Sequence, residues 1–99
     1  MMLSDDLSGA KVLLEAHKLI TGARQASYAH PSKDYSQTRD IFEAMTGVSL
    51  TVEEAILFMV AVKLSRLRTA LASGQIDCRD TIIDAAGYIG CLAMVLDTK

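Results

Sequence analysis

The stretch from Thr51 to Leu96 constrains this chain most. Two apolar runs, TVEEAILFMVAVKLSRLRTALASG and DCRDTIIDAAGYIGCLAMVL, flank one short break, and charges are planted inside their greasy faces. Apolar residues in both runs recur at helical spacing, and the intervening SGQI reverses the chain, so the pair reads as an antiparallel helical hairpin. The expected fold class is therefore all-α: a four-helix bundle-like domain with a long hairpin, helices about 52–72 and 78–96, as its core.

The hairpin's boundaries have chemical reasons. Thr51 with Glu54 three residues later forms a capping box just before an apolar run, which satisfies two backbone donors reciprocally. Gly74 closes that helix. Asp77 is the expected N-cap of the next, with Asp80 in its first turn, where a carboxylate suits the positive end of the helix dipole. On the first helix of the hairpin Val52, Ile56, Met59, Val60, Leu67 and Ala70 form one stripe, and at 100° per residue Lys63 falls inside it, with Arg66 one turn further. On the second, Ile82, Ala86, Ile89, Ala93 and Leu96 read as the core face, and a second stripe holds Asp77, Asp80, Asp84, Tyr88 and Cys91. Leu92, Met94 and Val95 leave little else polar, so this helix should be covered on most sides and the chain should be a homo-oligomer, dimer or higher.

Upstream, residues 1–7 read as a frayed leader, and Ser8 caps a helix that ends at Gly22, a glycine able to turn left-handed. Val12, Leu13, Ala16, Leu19 and Ile20 give it one apolar side. ARQASYAHPSK then has no period, and Pro31 disfavours helix at His30. An aperiodic segment of that length is longer than the usual connection. It is either a functional loop or a linker whose Tyr28 packs down. Ser32 or Asp34 opens the next helix, Tyr35 to Met45, which Gly47 closes, with Tyr35, Ile41, Phe42 and Met45 inward.

At 99 residues, 51% hydrophobic and 22% charged, the chain is one globular domain, residues 1–99, with a small core that association would help to complete. A net charge of -2 offers nothing to nucleic acid or an anionic membrane. No apolar run reaches the roughly 20 residues of a membrane span. Cys78 and Cys91 lie on one predicted helix about 20 Å apart and cannot bond to each other. With no signal pattern at the start, the expected location is the cytoplasm.

The charges within the hairpin carry the functional reading. A straight antiparallel pair turning near Gly74 sets Asp80 and Asp84 level with Arg66 and Lys63, and displaces Glu53 and Glu54 by on the order of 16 Å. Opposed charges at one level are either a salt-bridge cluster that fixes register or a ligand site. Lysine and arginine there would contact phosphates, and Asp84 would hold Mg²⁺ or a ribose hydroxyl. A second subunit could bring Glu54 of one chain to Asp84 of another. Ser27 with His30, or Cys78 with any histidine, lacks the oriented third group of a nucleophile. Gly87 and Gly90 lie within a helix, where small residues permit close packing rather than forming a phosphate loop.

GARQASYAHPSKDY, TVEEAILFMVAVKLSRL and DTIIDAAGYIGCLA together resemble a small helical family of phages and prophages, over roughly residues 12 to 95. In that family a Tyr-Gly-(His/Asp)-Pro-like loop precedes a Lys-x-x-Arg element and an Asp-x-x-x-Asp-x-x-Gly-Tyr element. Here Ala29 stands where glycine is usual. More distantly the chain is similar to MazG-like all-α nucleoside triphosphate pyrophosphohydrolases, which bind Mg²⁺ through Glu-x-x-Glu and Glu-x-x-Asp pairs on successive helices and cleave between the α- and β-phosphates. The resemblance implies a nucleotide or other phosphorylated small molecule as ligand. Lys63, Arg66, Tyr28, His30 and Tyr88 would contact it, and Asp80, Asp84 and Glu54 would be the metal candidates. Ile56 and Leu57 stand where the second glutamate of Glu-x-x-Glu would be, so the motif is degenerate. Two functions are expected on these grounds: a nucleotide-binding protein, with or without pyrophosphohydrolase turnover, or a non-catalytic oligomeric helical protein that binds a host or phage factor.

Overall fold

A computed structural model of the chain describes residues 8–22 and 30–99. The described residues form four helices, α1 (Ser8–Thr21), α2 (Pro31–Thr46), α3 (Val52–Ala72) and α4 (Arg79–Asp97), and contain no strand. The expected all-α bundle-like architecture is the one observed. The proposed leader and most of the aperiodic segment, Tyr28 included, lie outside the described residues.

α3 and α4 pack as the antiparallel hairpin, and α1 and α2 both rest on α4. Thr51 opens α3 as the sequence requires: its side chain accepts from the Glu54 N–H at 3.0 Å, while the Glu54 carboxylate accepts from the Thr51 N–H at 2.9 Å. Gly47 and Gly74 end α2 and α3 at φ 75° and 83°, the left-handed region where glycine has no Cβ penalty. Gly22, by contrast, ends α1 without a left-handed turn. α2 starts at Pro31, earlier than expected, because proline suits the first helical position and the His30 ring supplies the cap. On its outer side Ile41 and Met45, expected inward, are exposed, since α2 meets the hairpin through Tyr35 and Phe42.

Asp77 does not cap α4. The cap position falls to Cys78, which is buried and makes no side-chain capping bond, so the helix begins one residue later than the sequence suggests. The core centres on Tyr35, Ile56, Cys91 and Val95, with Ile20, Val52, Met59, Tyr88 and Leu92 packed round it. Ile56 is fully buried. Ile20 of α1 sits over Gly87 and Gly90: a Cβ on Gly90 would stand 2.8 Å from the Ile20 Cδ1, and one on Gly87 3.6 Å from its Cγ2. The two glycines serve close helix approach.

The buried side of α4 is thus Ile83, Ala85, Gly87, Cys91 and Val95, and the face read as core is instead open, with Ile82, Ile89 and Leu96 exposed. α4 is apolar nearly all round, so periodicity could not choose a side; the glycines and Cys91 chose it by letting α1 and α2 approach.

Candidate functional site

α3 brings one lysine into its apolar stripe, and α4 meets it with a carboxylate. Lys63 Nζ lies 3.0 Å from Asp84 Oδ2, with the lysine side chain 14% and the aspartate 35% exposed. The lysine stem is enclosed between the helices while its charge reaches a carboxylate that keeps contact with solvent. These two residues set the register of the hairpin: residue numbers on α3 and α4 that share the sum of 63 and 84 are level.

Arg66, a turn beyond Lys63, is exposed. It borders two open grooves along α3, one of about 400 Å³ with Phe58, Ala61, Val62 and Ser65, the other of about 330 Å³ with Ser65, Thr69, Ala70, Ser73 and Gln75. Asp80 is exposed in the first turn of α4. At 100° per residue Asp80 and Asp84 fall 40° apart, on the side of α4 that also carries Cys91, where α2 approaches. Level and side therefore place Arg66 and Asp80 flanking the Lys63–Asp84 pair, without a direct ion pair between them among the described residues.

Tyr88, one turn after Asp84, meets the ring of Tyr35 edge to face, centroids 6.4 Å apart at 76°. Through that contact the second turn of α2 is fixed beside the ion pair's helix. Tyr35 was legible in the sequence only as core; an aromatic in the second turn after a loop was the signal that it also borders the candidate site. His30 turns its ring back on its own helix. Its Nδ1 accepts from the Ser32 N–H at 3.1 Å and lies 2.9 Å from the Ser32 hydroxyl, so that nitrogen is engaged in capping α2.

Glu54 is engaged in the capping box at the far end of α3. Nine residues separate it from Lys63 on one helix, about 14 Å along the axis, so a single chain does not bring it to Asp84. Among the described residues no group of three or more His, Cys, Asp or Glu side chains is gathered closely enough to hold a metal ion. The protein's own share of a Mg²⁺ shell in one chain is thus at most two carboxylates, Asp84, already paired with Lys63, and Asp80 one turn before it. Mg²⁺ is usually held by one or two carboxylates, with phosphate and water completing the octahedron, so the residues fit an ion that arrives with a phosphorylated ligand and not a resident one. No helix among the described residues is long and apolar enough to cross a membrane.

Comparison with known proteins follows the same stretch. The chain is 27% identical over 86 residues to the Gene 55 protein of Mycobacterium phage D29, an alignment covering 87% of this chain and 54% of that protein. It is 28% identical over 82 residues to the Gene 55 protein of Mycobacterium phage L5, covering 82% and 49% respectively. The chain spans about half the length of these relatives. No solved structure matches it. A family model described as a domain of unknown function, DUF6378, matches residues 11–96, nearly all of α1 through α4, and the chain belongs to that family.

Proposed function

We propose that this chain binds a nucleotide, or a closely similar phosphorylated small molecule, against the Lys63–Asp84 pair, as a protein of MazG-like descent acting in phage nucleotide metabolism. The observation that carries the reading is the pair itself: a cation enclosed by apolar neighbours at 3.0 Å from a carboxylate that stays in contact with solvent. A phosphate can take over the lysine, and the displaced Asp84 is then available to a ribose hydroxyl or to Mg²⁺ on the phosphates. Arg66, with its planar fork on the same side, reaches a second phosphate, and the Tyr35–Tyr88 corner offers aromatic surface to a base or sugar. His30, the cap of α2, would border the ligand from the start of that helix, and Tyr28, outside the described residues, is proposed from the sequence as a further contact. The phage relatives support the setting and say nothing of the ligand.

With one carboxylate at the pair, binding is the better supported activity and pyrophosphohydrolase turnover the lesser. The test is a panel of nucleoside triphosphates with Mg²⁺, read by melting temperature and by pyrophosphate release, on wild type, Asp84→Asn and Arg66→Ala. A ligand at 100 times its Kd stabilises the fold by about 2.7 kcal/mol. The expected result is a nucleotide-dependent rise in the wild type that Arg66→Ala diminishes. No shift with any nucleotide, or equal shifts in all three proteins, would refute the site.

A second reading, a non-catalytic oligomeric interaction protein, is favoured by a different observation: the open apolar side of the hairpin.

A further inference from the structure

The side of the hairpin turned away from α2 is apolar and open, and at one end Ile76 and Ile82 line a groove of about 640 Å³ with Val12 and Leu13 of α1. Leu57, Leu64 and Leu71 on α3 repeat every seventh residue, as do Ile82, Ile89 and Leu96 on α4, and all six are 42–60% exposed; Ile76, in the turn, is 96% exposed. A seven-residue repeat drifts only about 20° per step round an α-helix, so each trio forms a continuous stripe. Counting from the Lys63–Asp84 register, Leu57 stands within one residue of the level of Ile89 and Leu64 within one of Ile82, and Ile76 lies in the turn beyond Leu71. At 1.5 Å per residue the rungs are spaced about 10.5 Å. Handedness puts both stripes on one side: the buried centre of α3 is Ile56 and that of its contact on α4 lies between Asp84 and Leu92, and each stripe is turned about 80–100° from there, away from Tyr35.

α3 is 21 residues long, about 31 Å, and a helix pair is about 20 Å wide, so the face has a planar footprint of about 600 Å². A standard interface takes about 800 Å² of accessible surface from each partner, which a ridged face of this footprint supplies. A face of this footprint lies at the upper end of the roughly 300–600 Å² spanned by the largest apolar patch of a single-chain protein.

The rim says what covers it. At one end stand Glu54, Asp97 and the Glu53–Lys99 pair; at the other, Arg66, Arg68 and Arg79 outnumber Asp77 and Asp80. Between the two middle rungs the level pair is Ala61 with Ala86, small enough for close approach. A two-fold axis lying in the face and across the helices at this alanine level maps Glu54 onto Arg68, seven residues either side of Ala61, and carries the acidic end of one copy onto the basic end of another. A two-fold running along the helices would instead lay α3 on α4 of the second copy and set Arg68 against Arg79, like charge on like. Self-complementarity under a two-fold is the requirement of an isologous dimer.

We infer that the Leu57–Leu64–Leu71 and Ile82–Ile89–Leu96 face is a homodimer interface in which α3 packs antiparallel on α3 of a second copy and α4 on α4. The inference is independent of any nucleotide. Light scattering of the eluting protein tests it first: wild type should run at twice 10.7 kDa, and Leu64→Glu or Ile89→Glu at one chain per particle with unchanged helix content. Both positions are exposed, so either variant leaves the chain's own core intact. Oxidation tests the geometry: Ala61→Cys, beside the axis, should give a reducible dimer on a denaturing gel, and Leu71→Cys, at the end, should not. A monomeric wild type, a dimer indifferent to both glutamates, or efficient bridging by Leu71→Cys and none by Ala61→Cys would each overturn the proposal.

Discussion

The Lys63–Asp84 pair has a measurable asymmetry. Its partners are unequally enclosed, 14% exposed for the lysine and 35% for the aspartate, so stranding one is not the same as stranding the other. Asp84→Asn leaves an ammonium in an apolar seam; Lys63→Met leaves a carboxylate that still reaches water. Exposed pairs contribute about 0.2–1 kcal/mol and breaking a buried one costs about 3–5 kcal/mol. This pair lies between, so Asp84→Asn should cost about 2 kcal/mol and Lys63→Met about 1 kcal/mol. An entropy of unfolding of about 2.1 cal/mol/K per residue makes 1 kcal/mol worth about 5 °C in a chain of this length. The expected falls in Tm are then about 10 °C and about 5 °C, with the double variant falling by less than their sum. Urea and thermal melts at one fixed protein concentration measure all four corners, the concentration being held because association shifts Tm by mass action. Strict additivity within about 0.3 kcal/mol, or a larger loss from Lys63→Met than from Asp84→Asn, would refute the argument that the enclosed lysine is the member that needs its partner.

Ile56→Ala opens a cavity at a fully buried position and should cost about 3 kcal/mol, visible as a fall in the urea midpoint with the slope unchanged. Hydrogen bonding and charge from Lys99, whose Nζ is 2.9 Å from Glu53 Oε2, hold the Glu53 carboxyl below the ordinary glutamate range. A depressed folded-state pKa contributes stability above the unfolded value, about 4.3, and loses it as pH falls through the folded value. The Tm gap between wild type and Glu53→Gln should therefore be constant near neutrality and close below about pH 4.3 in a pH series of melts; a gap that widens in acid would contradict the sign.

What the sequence disclosed depended on whether one residue type had one physical solution. Thr51 with Glu54 has one, and the capping box is where it was read. Lys63 in an apolar stripe has two, a snorkelled stem or a carboxylate partner, and counting residues back from Gly74 already set Asp84 near it; the observed ion pair lies within two residues of that level. α4 has many. Ile82, Ala86, Ile89, Ala93 and Leu96 make as good a stripe as Ile83, Gly87, Cys91 and Val95, and only the approach of α1 to Gly87 and Gly90 decides between them. Cys78, buried where Asp77 was expected to cap, shows the same limit, since the turn is closed by other local bonds, Gln75 Nε2 donating to the Asp77 carbonyl at 2.9 Å and the Cys78 thiol to the Gln75 carbonyl at 3.6 Å.

The two sides of the hairpin share one register. Sliding α4 along α3 by a single turn, about 5.4 Å, would part Lys63 from Asp84, and it would also set Ile82 and Ile89 halfway between the leucine rungs. The ion pair on one side and the level leucine and isoleucine stripes on the other are thus consequences of the same alignment. A helix pair held by apolar contacts alone has neighbouring registers of nearly equal energy, because α4 is greasy all round and would bury similar area a turn away. A slide of one turn that brings Tyr88 level with Lys63 strands the lysine, while the opposite slide exchanges Asp84 for Asp80, so the pair excludes one neighbouring register and leaves Asp84 and Asp80 to compete for the other. The dimer face then inherits its rungs from Lys63 and Asp84, residues that lie on the opposite side of the seam. Weakening the pair should therefore loosen the dimer as well as the fold: Lys63→Met, which touches no residue of the open face, should raise the dimer's dissociation constant. An unchanged constant would mean that packing alone sets the register.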